Sequence, residues 1–301
     1  MTQAIPVTVI GGYLGAGKTT LVNHLLRHAA GRRLAVLVND FGELPIDADL
    51  IESNEGGTIA IAGGCVCCSF GSDLVAALQQ LAGRDPVPDH VLIEASGVAL
   101  PGAVAAAVTL LPRYRVDGVL VLADAETVRE RAADRYLADT VSRQLDEADL
   151  ILLAKGDLVT ESARASLRQW LAGRAPLVEV QRGQVPLDLL LGRRAEARGR
   201  LHAPMRPHPA YDSCSFAALP PLDVLGLAAA LAGPGTGVLR AKGLLRDCSG
   251  ATKALHVVGR RAEAIDASAA PSGLVCIGLR GRLARARIES IVEKSTSEIT
   301  T

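Results

Sequence analysis

The chain has 301 residues, which is enough for one large domain or two smaller ones. It carries 32 basic and 32 acidic residues, so its formal net charge is zero, and aromatic residues make up only 3% of it. This charge balance argues against nucleic acid or an anionic membrane as the main partner, because both require a basic excess, and the few aromatics argue against base stacking.

The first 195 residues alternate apolar strand patterns with helical patterns, which predicts an α/β domain with a doubly wound, mostly parallel sheet. The predicted buried strands are residues 7–10, 34–38, 91–93, 119–122, 150–153 and 177–180. The predicted helices include one after Thr19, one over 72–81 and one over 126–148. Sheets of this kind bind their ligands at the carboxyl ends of the strands.

A charged and proline-rich stretch, residues 196–209, predicts a linker to a smaller C-terminal α+β domain over residues 210–301. The predicted strands of this second domain are 213–219, 238–245, 255–258 and 274–279, and its predicted helices are 222–232 and 282–292. The polar residues 294–301 at the end of the chain are expected to fray.

The segment Gly11–Thr20 carries the clearest chemical signal. It fits the phosphate-binding pattern Gly-x4-Gly-Lys-Ser/Thr and lies between a strand pattern and a helical pattern. Glycines let the backbone curl around an anion, so that its N–H groups and the helix N-terminus face the phosphates. Lys18 can reach the outer phosphates as a catalytic residue, and the Thr19 hydroxyl can hold Mg²⁺. The predicted nucleotide-binding residues of this loop are Gly12, Gly15, Ala16, Gly17, Lys18, Thr19 and Thr20.

An acidic residue, Glu94, ends the apolar strand 91–93. A P-loop enzyme needs an acid at a strand end beside Mg²⁺, where it acts directly or through water. Glu94 is therefore the predicted catalytic and Mg²⁺-binding carboxylate. A carboxylate that only caps the next helix is the alternative.

A second strand end, Ala154-Lys155-Gly156-Asp157, is similar to the Asn-Lys-x-Asp pattern of guanine-binding proteins. The Asp157 carboxylate can accept from both N–H donors of the guanine edge, which adenine lacks, and the Lys155 stem can cover the base. GTP preference follows, although Ala154 in place of Asn removes one supporting polar contact and weakens the predicted discrimination. A surface turn with ordinary charges is the alternative.

Three cysteines within four residues, Cys65, Cys67 and Cys68, predict a transition-metal site. Three thiolates can hold a soft or borderline ion such as Zn²⁺, with a fourth ligand from elsewhere in the chain. Asp40 and Glu43, which lie between the P-loop and the cysteines, are candidates for additional ligands or for contact with Mg²⁺. The alternatives are a redox-active cluster or buried thiols, and a solvated loop for the two acids.

These motifs together resemble the CobW-type metal-trafficking GTPases, which are relatives of the urease- and hydrogenase-maturation GTPases. The matching segments are 12–20, 39–43 with 46–47, 64–68, 94–97, 154–157 and 240–243. Asp40 stands where the family usually has Glu, and Ala154 stands where it usually has Asn. The chain also lacks the histidine-rich tract with which many relatives store metal, so one ion per chain is expected.

The resemblance implies a GTP-hydrolysing metallochaperone that uses GTP and Mg²⁺ to control a bound Zn²⁺ or Co²⁺ ion and delivers the ion to a client metalloprotein. It leaves a nucleotide-dependent homodimer open. Two other functions stay open as well: a P-loop ATPase or small-molecule kinase with a structural zinc site, and a nucleotide-gated activator that carries no metal. With no signal-peptide pattern and no long apolar run, a cytoplasmic protein without membrane contact is expected.

Overall fold

The computed structural model describes residues 4–29, 31–39, 59–63, 72–191, 210–217, 219–268 and 270–297. The chain divides into two compact units, Thr2–Leu187 and Asp188–Thr301. The predicted linker over 196–209 lies almost wholly outside the described residues, so the domain limits stay a prediction. Among the described residues, no helix is both long enough and apolar enough to cross a bilayer.

Within the described ranges, the first unit contains seven strands and most of the helices. Its strands are β1 (Ile5–Gly11), β2 (Leu34–Asn39), β3 (Ile59–Gly63), β4 (His90–Glu94), β5 (Tyr114–Asp124), β6 (Leu150–Ala154) and β7 (Leu177–Val180). Its helices are α1 (Lys18–Arg27), α2 (Ser72–Ala82), α3 (Pro101–Thr109), α4 (Val128–Arg131), α5 (Ala138–Asp146) and α6 (Glu161–Leu171), with a 3₁₀ turn over Gly156–Leu158. A short helix, α7 (Leu187–Leu191), follows.

The seven strands form one sheet in the order β3-β2-β4-β1-β5-β6-β7, and every neighbouring pair is parallel. Val7 and Val9 of β1 have no exposed surface, as expected for strands that helices cover on both faces. β1 lies between β4 and β5, where the chain changes direction across the sheet. The predicted doubly wound fold is confirmed, and its ligand-binding switch point lies at the end of β1.

The carboxyl ends of the central strands lie level with one another. Ile10 of β1 pairs with Glu94, the last residue of β4, and Val38 of β2 pairs with the same Glu94. On the other side, Asp124 at the end of β5 pairs with Ala154 at the end of β6. The loops that follow these strands therefore begin side by side along one edge of the sheet.

The single helix predicted over 126–148 is wrong, because the structure has two helices, α4 and α5, with a break between them. In that break, Asp134 Oδ1 accepts hydrogen bonds from the backbone N–H groups of Tyr136 and Leu137. An aspartate that bonds to nearby backbone N–H groups competes with the helical hydrogen bonds, which accounts for the interruption.

The second unit is an antiparallel sheet with two helices. Its strands are β8 (Tyr211–Phe216), β9 (Val238–Arg246), β10 (Thr252–Val258), β11 (Arg261–Asp266) and β12 (Gly273–Leu279), in the order β11-β10-β9-β12-β8. Its helices are α8 (Val224–Ala232) and α9 (Arg285–Ser297). The predicted α+β architecture is confirmed. The expected fraying from residue 294 is wrong as far as Ser297, because α9 continues to that residue.

The Arg-x-Lys-Gly segment of β9 holds the end of α7. Arg240, with 1% of its surface exposed, donates to the carbonyl of Leu190, and Lys242 Nζ donates to the carbonyl of Leu191 at 2.9 Å. The last carbonyls of a helix have no partner within the helix, and cations stabilise this end. These two side chains therefore fix the chain just before the segment predicted to be the linker.

A buried glutamine on α5 fixes the loop that follows β4. Gln144 Nε2 donates to the carbonyls of Gly97 and Ala99 at 3.0 and 2.8 Å, and only 1% of its surface is exposed. Because Gly97 lies three residues after Glu94, this contact sets the course of the chain beyond the predicted magnesium carboxylate.

Replacing Gln144 with methionine should destabilise the protein. Gln144→Met keeps the side-chain length but leaves the buried Gly97 carbonyl and the partly buried Ala99 carbonyl without this donor. The loss at a buried carbonyl costs about 1–3 kcal/mol. We expect the urea midpoint of unfolding, followed by circular dichroism, to fall clearly. The matched control is Gln80→Met at an exposed position of α2, which should change the free energy of unfolding by less than about 0.5 kcal/mol. Equal losses at the two positions would contradict this account.

Candidate nucleotide and metal site

The loop between β1 and α1 has the backbone shape that its glycines predict. Gly12, with φ of 125°, passes so close to β5 that a Cβ would lie 2.4 Å from the carbonyl oxygen of Leu122. Gly15 (φ 76°) has no atom within 4 Å of its Cβ position, and Gly17 (φ 99°) precedes the first residue of α1. Positive φ values of this kind strongly favour glycine. The loop thus curls just before the N-terminus of α1, and a helix N-terminus of this kind favours anions.

The structure brings three of the predicted catalytic and magnesium-binding groups together. Lys18 and Thr19 form the start of α1, and Lys18 is buried, with 8% of its surface exposed. The Thr19 hydroxyl donates to Glu94 Oε1 at 2.8 Å, although the two residues are 75 positions apart in the sequence. Glu94 is 2% exposed. A hydroxyl and a buried carboxylate at this distance form a pair of oxygen ligands that suits Mg²⁺.

Arg131 supports the tip of the loop, and sequence reasoning missed it. Its Nη1 donates to the carbonyl of Leu14 at 2.8 Å, and its guanidinium carbon lies 4.9 Å from the centre of the Tyr13 ring. Leu14 also packs closely on Gly97, where a Cβ would lie 2.6 Å from the Leu14 side chain. Arg131 is one of several arginines in its segment, and no sequence signal marked it out.

The lysine of the Ala-Lys-x-Asp segment is held by a carboxylate that sequence reasoning also missed. Lys155, in a left-handed conformation with φ of 59°, places Nζ 2.8 Å from Asp124 Oδ2. Asp124 is 4% exposed, and its other oxygen accepts from the backbone N–H of Glu126. The available signal was position, because Asp124 ends an apolar strand just as Glu94 does. Asp157 is exposed in the 3₁₀ turn next to Lys155, where it can reach a ligand.

A further turn after β7 packs against the start of α1. A Cβ on Gly183 would lie 3.0 Å from the carbonyl oxygen of Thr20, so glycine is needed for this approach. His24 Nε2 donates to the carbonyl of Val185 at 3.2 Å. Burial, followed by the charge of His28, lowers the pKa of His24 below its ordinary value, which favours the neutral ring in this contact. The turn over 181–185, which follows β7, therefore packs against α1 at the same edge of the sheet as the P-loop.

The predicted transition-metal ligands fall outside the described residues. They are Cys65, Cys67, Cys68, Asp40 and Glu43. Within the described part of the chain, no cluster of three or more His, Cys, Asp or Glu side chains could hold a metal ion. The predicted metal site therefore stays a prediction.

A glycine loop of this shape, at the switch point of a doubly wound sheet, is the mark of P-loop nucleotide-binding proteins, and this chain is one of them. The chain belongs to the CobW/HypB/UreG family, because the family model for the nucleotide-binding domain matches residues 6–181, more than half of its length. The resemblance inferred from the motifs is thereby confirmed.

Curated relatives agree with the family model. The chain is 36% identical over 239 residues to a protein of Pseudomonas aeruginosa named zinc chaperone CobW, covering 67% of this chain and 63% of that protein. It is 36% identical over 197 residues to the zinc chaperone YjiA of Escherichia coli, covering 62% of this chain and 60% of that protein. The matched region thus spans about six tenths of the length of these relatives.

A solved structure gives a full-length comparison. The zinc-bound YjiA GTPase from Escherichia coli is 26% identical, and the alignment covers 98% of this chain and 99% of that chain with a TM-score of 0.46.

Two glycines of the loop should respond differently to alanine. Gly12→Ala places a Cβ against the Leu122 carbonyl in a region of φ that is nearly restricted to glycine, so we expect a loss of roughly 2–5 kcal/mol from strain and overpacking together. Gly15→Ala meets no neighbouring atom and should cost only the left-handed conformation, about 1–2 kcal/mol. Thermal unfolding without nucleotide measures both. If Gly15→Ala is as destabilising as Gly12→Ala, the close approach to β5 is not the cause.

Proposed function

We propose that this protein is a GTP-hydrolysing metallochaperone in which GTP and Mg²⁺ control how tightly a thiolate site binds a transition-metal ion, zinc or cobalt. The ion is passed to a client metalloprotein. The observation that carries this proposal is the register of β2, β3 and β4 at the edge of the sheet that also bears the P-loop.

That register concerns the last described residues before the two predicted metal-binding segments. Val38 pairs with Glu94, and Asn39 pairs with Gly63, so β2, β3 and β4 end level. Asp40 follows directly after Asn39, and Cys65 comes two residues after Gly63. Neighbouring strands lie about 4.8 Å apart, so β3, which ends two residues before Cys65, lies about 10 Å from the strand that carries Glu94. A change at the third phosphate can therefore act on both segments over a short distance.

The residues around the loop fit a bound Mg²⁺–triphosphate. The loop N–H groups and Lys18 would hold the β- and γ-phosphates, while Thr19 and Glu94 would hold Mg²⁺, directly or through water. Mg²⁺, when bound, neutralises negative charge on the phosphate oxygens. Arg131 and Gln144 would contribute indirectly, since they fix the loops that carry these groups. Catalysis by this set is a matter of positioning and electrostatics.

Guanine specificity is supported at the ends of β5 and β6. Asp157 can accept from the guanine N1–H and its exocyclic amine, a pattern that adenine does not offer. In the absence of an asparagine at position 154, the Lys155 stem is oriented by its ion pair with Asp124. The turn over 181–185 adds a third wall next to the start of α1. We infer that Asp124 partly replaces the missing asparagine as the group that holds Lys155 in position.

The decisive experiment is a zinc titration with and without nucleotide. The full chain, with Mg²⁺ present, is titrated against a zinc-binding dye in three states: empty, with a non-hydrolysable GTP analogue, and with the matching ATP analogue. We expect the GTP analogue to change the zinc dissociation constant at least about tenfold, which is 1.4 kcal/mol, with little effect of the ATP analogue.

The control is the variant C65S/C67S/C68S, which should bind the GTP analogue normally but lose the nucleotide-dependent zinc affinity. Equal zinc affinity in all three nucleotide states would refute the metallochaperone proposal. Equal effects of the GTP and ATP analogues would instead support the ATPase alternative.

The base preference can be tested by a change that gains a function. In Asp157→Asn the amide offers one acceptor and one donor, which matches the 2-oxo group of xanthine better than the 2-amino group of guanine. We expect GTP affinity to fall by roughly ten- to a hundredfold and XTP affinity to rise, measured by competition with a fluorescent nucleotide. A gain for XTP cannot arise from misfolding. If neither affinity changes, Asp157 does not contact the base.

A further inference from the structure

Two buried thiols of the second unit face each other across strands β8 and β12. Cys214 and Cys276 are direct register partners in this antiparallel pair. Both are free thiols, with 5% and 0% of their surfaces exposed, and they are hydrogen-bonded to each other. They belong to a different unit from the P-loop and to a different segment from Cys65–Cys68, so the proposed metallochaperone activity makes no use of them.

The strand register places the two sulfurs within reach of a covalent bond. Directly opposite residues of an antiparallel pair have Cα atoms about 4.5–5.5 Å apart, and their side chains lie on the same face of the sheet. Disulfides form at Cα separations of about 4.4–6.8 Å. A bond between Cys214 and Cys276 therefore needs no change of strand register.

The two thiols differ in reactivity. The hydrogen bond from Cys276 lowers the pKa of Cys214, and the positive charge of Arg285 lowers it further, against the opposing effect of burial. The hydrogen bond to Cys214, together with burial, raises the pKa of Cys276 well above its ordinary value. Cys214 also has more exposed surface than Cys276, 5% against 0%, and it lies on β8, an edge strand of this sheet among the described residues. Cys214 is thus the attacking thiol and Cys276 the resolving thiol.

We propose that Cys214 and Cys276 form a dithiol–disulfide site that small disulfides of the glutathione type oxidise. The Cys214 thiolate attacks one sulfur of the small disulfide, which forms a mixed disulfide and releases a thiolate that takes up a proton. Cys276 then loses its proton and attacks the Cys214 sulfur, which forms the protein S–S bond and releases the second small thiol. The cysteine pair loses two electrons, and the small disulfide gains them.

Oxidation would attach the edge strand to its neighbour. The bond would join β8 to β12, which are the first and the last described strands of the second unit along the chain. A cross-link of this kind restricts the unfolded chain and so stabilises the unit. The oxidised second unit should therefore unfold at higher urea concentration than the reduced one, and a thiol reductant should reverse the change.

The sequence allows a direct test, because trypsin separates the relevant cysteines. Cys214 lies in peptide 201–240 and Cys276 in peptide 262–280. Cys248 lies in peptide 247–253, and the three cysteines of the metal motif lie in peptide 34–84. The folded full chain is equilibrated with mixtures of oxidised and reduced glutathione, the free thiols are alkylated, and the unreduced digest is analysed by mass spectrometry. Circular dichroism confirms that the protein stays folded.

We expect peptides 201–240 and 262–280 to be joined, with the loss of two hydrogens, while circular dichroism remains unchanged. The exposed Cys248 is the internal control and should carry only a mixed disulfide with glutathione. The variant Cys276→Ser should trap glutathione on Cys214. The proposal is overturned if both thiols stay alkylatable in the most oxidising mixture. It is also overturned if peptide 201–240 joins peptide 34–84 or 247–253 as often as 262–280.

Discussion

The level ending of the buried parallel strands determines where the functional residues of the first unit lie. Backbone N–H and C=O groups in a covered sheet must pair with one another, and a shift of register would leave such groups unpaired at the strand ends. The pairing of Glu94 with both Ile10 and Val38 is therefore costly to change. It places a carboxylate next to β1, which leads into the P-loop, on one side and next to β2, which ends at Asn39, on the other. The proposed link between nucleotide and metal depends on this geometry.

Much of the first unit could be predicted from the sequence, because strands buried on both faces are nearly continuous apolar runs. The short strand β3 was missed, since its apolar run, Ile59–Ala62, is only four residues long and glycines lie on both sides of it. Strand β11 was missed for another reason: all but its last residue are half-buried, and its sequence is mostly polar or small. The helix break at Asp134 depends on a local side-chain contact that periodicity does not detect.

The site was predictable to the extent that single positions carry a chemical signature. Glycines, Lys18, Thr19 and the strand-end acid Glu94 have fixed roles in a phosphate-binding loop, and the structure brings Thr19 and Glu94 together. The supporting residues could not be predicted in the same way. Arg131 contacts Leu14 across 117 positions, and such a contact depends on the packing of α4 rather than on any local pattern.

The ion pair between Lys155 and Asp124 has a consequence for how a base would be accommodated. A free lysine side chain loses up to about 2 kcal/mol of rotamer entropy when it is immobilised. Here much of that loss has already occurred on folding, since Nζ is anchored to a carboxylate that is 4% exposed. A purine that binds here would contact the aliphatic part of a lysine side chain that is already held in place. The ammonium charge of that lysine is already neutralised by Asp124. Which base binds beside Lys155 would then depend on the shape of the base and on its contacts with Asp157. Lys155 itself would attract anions only weakly.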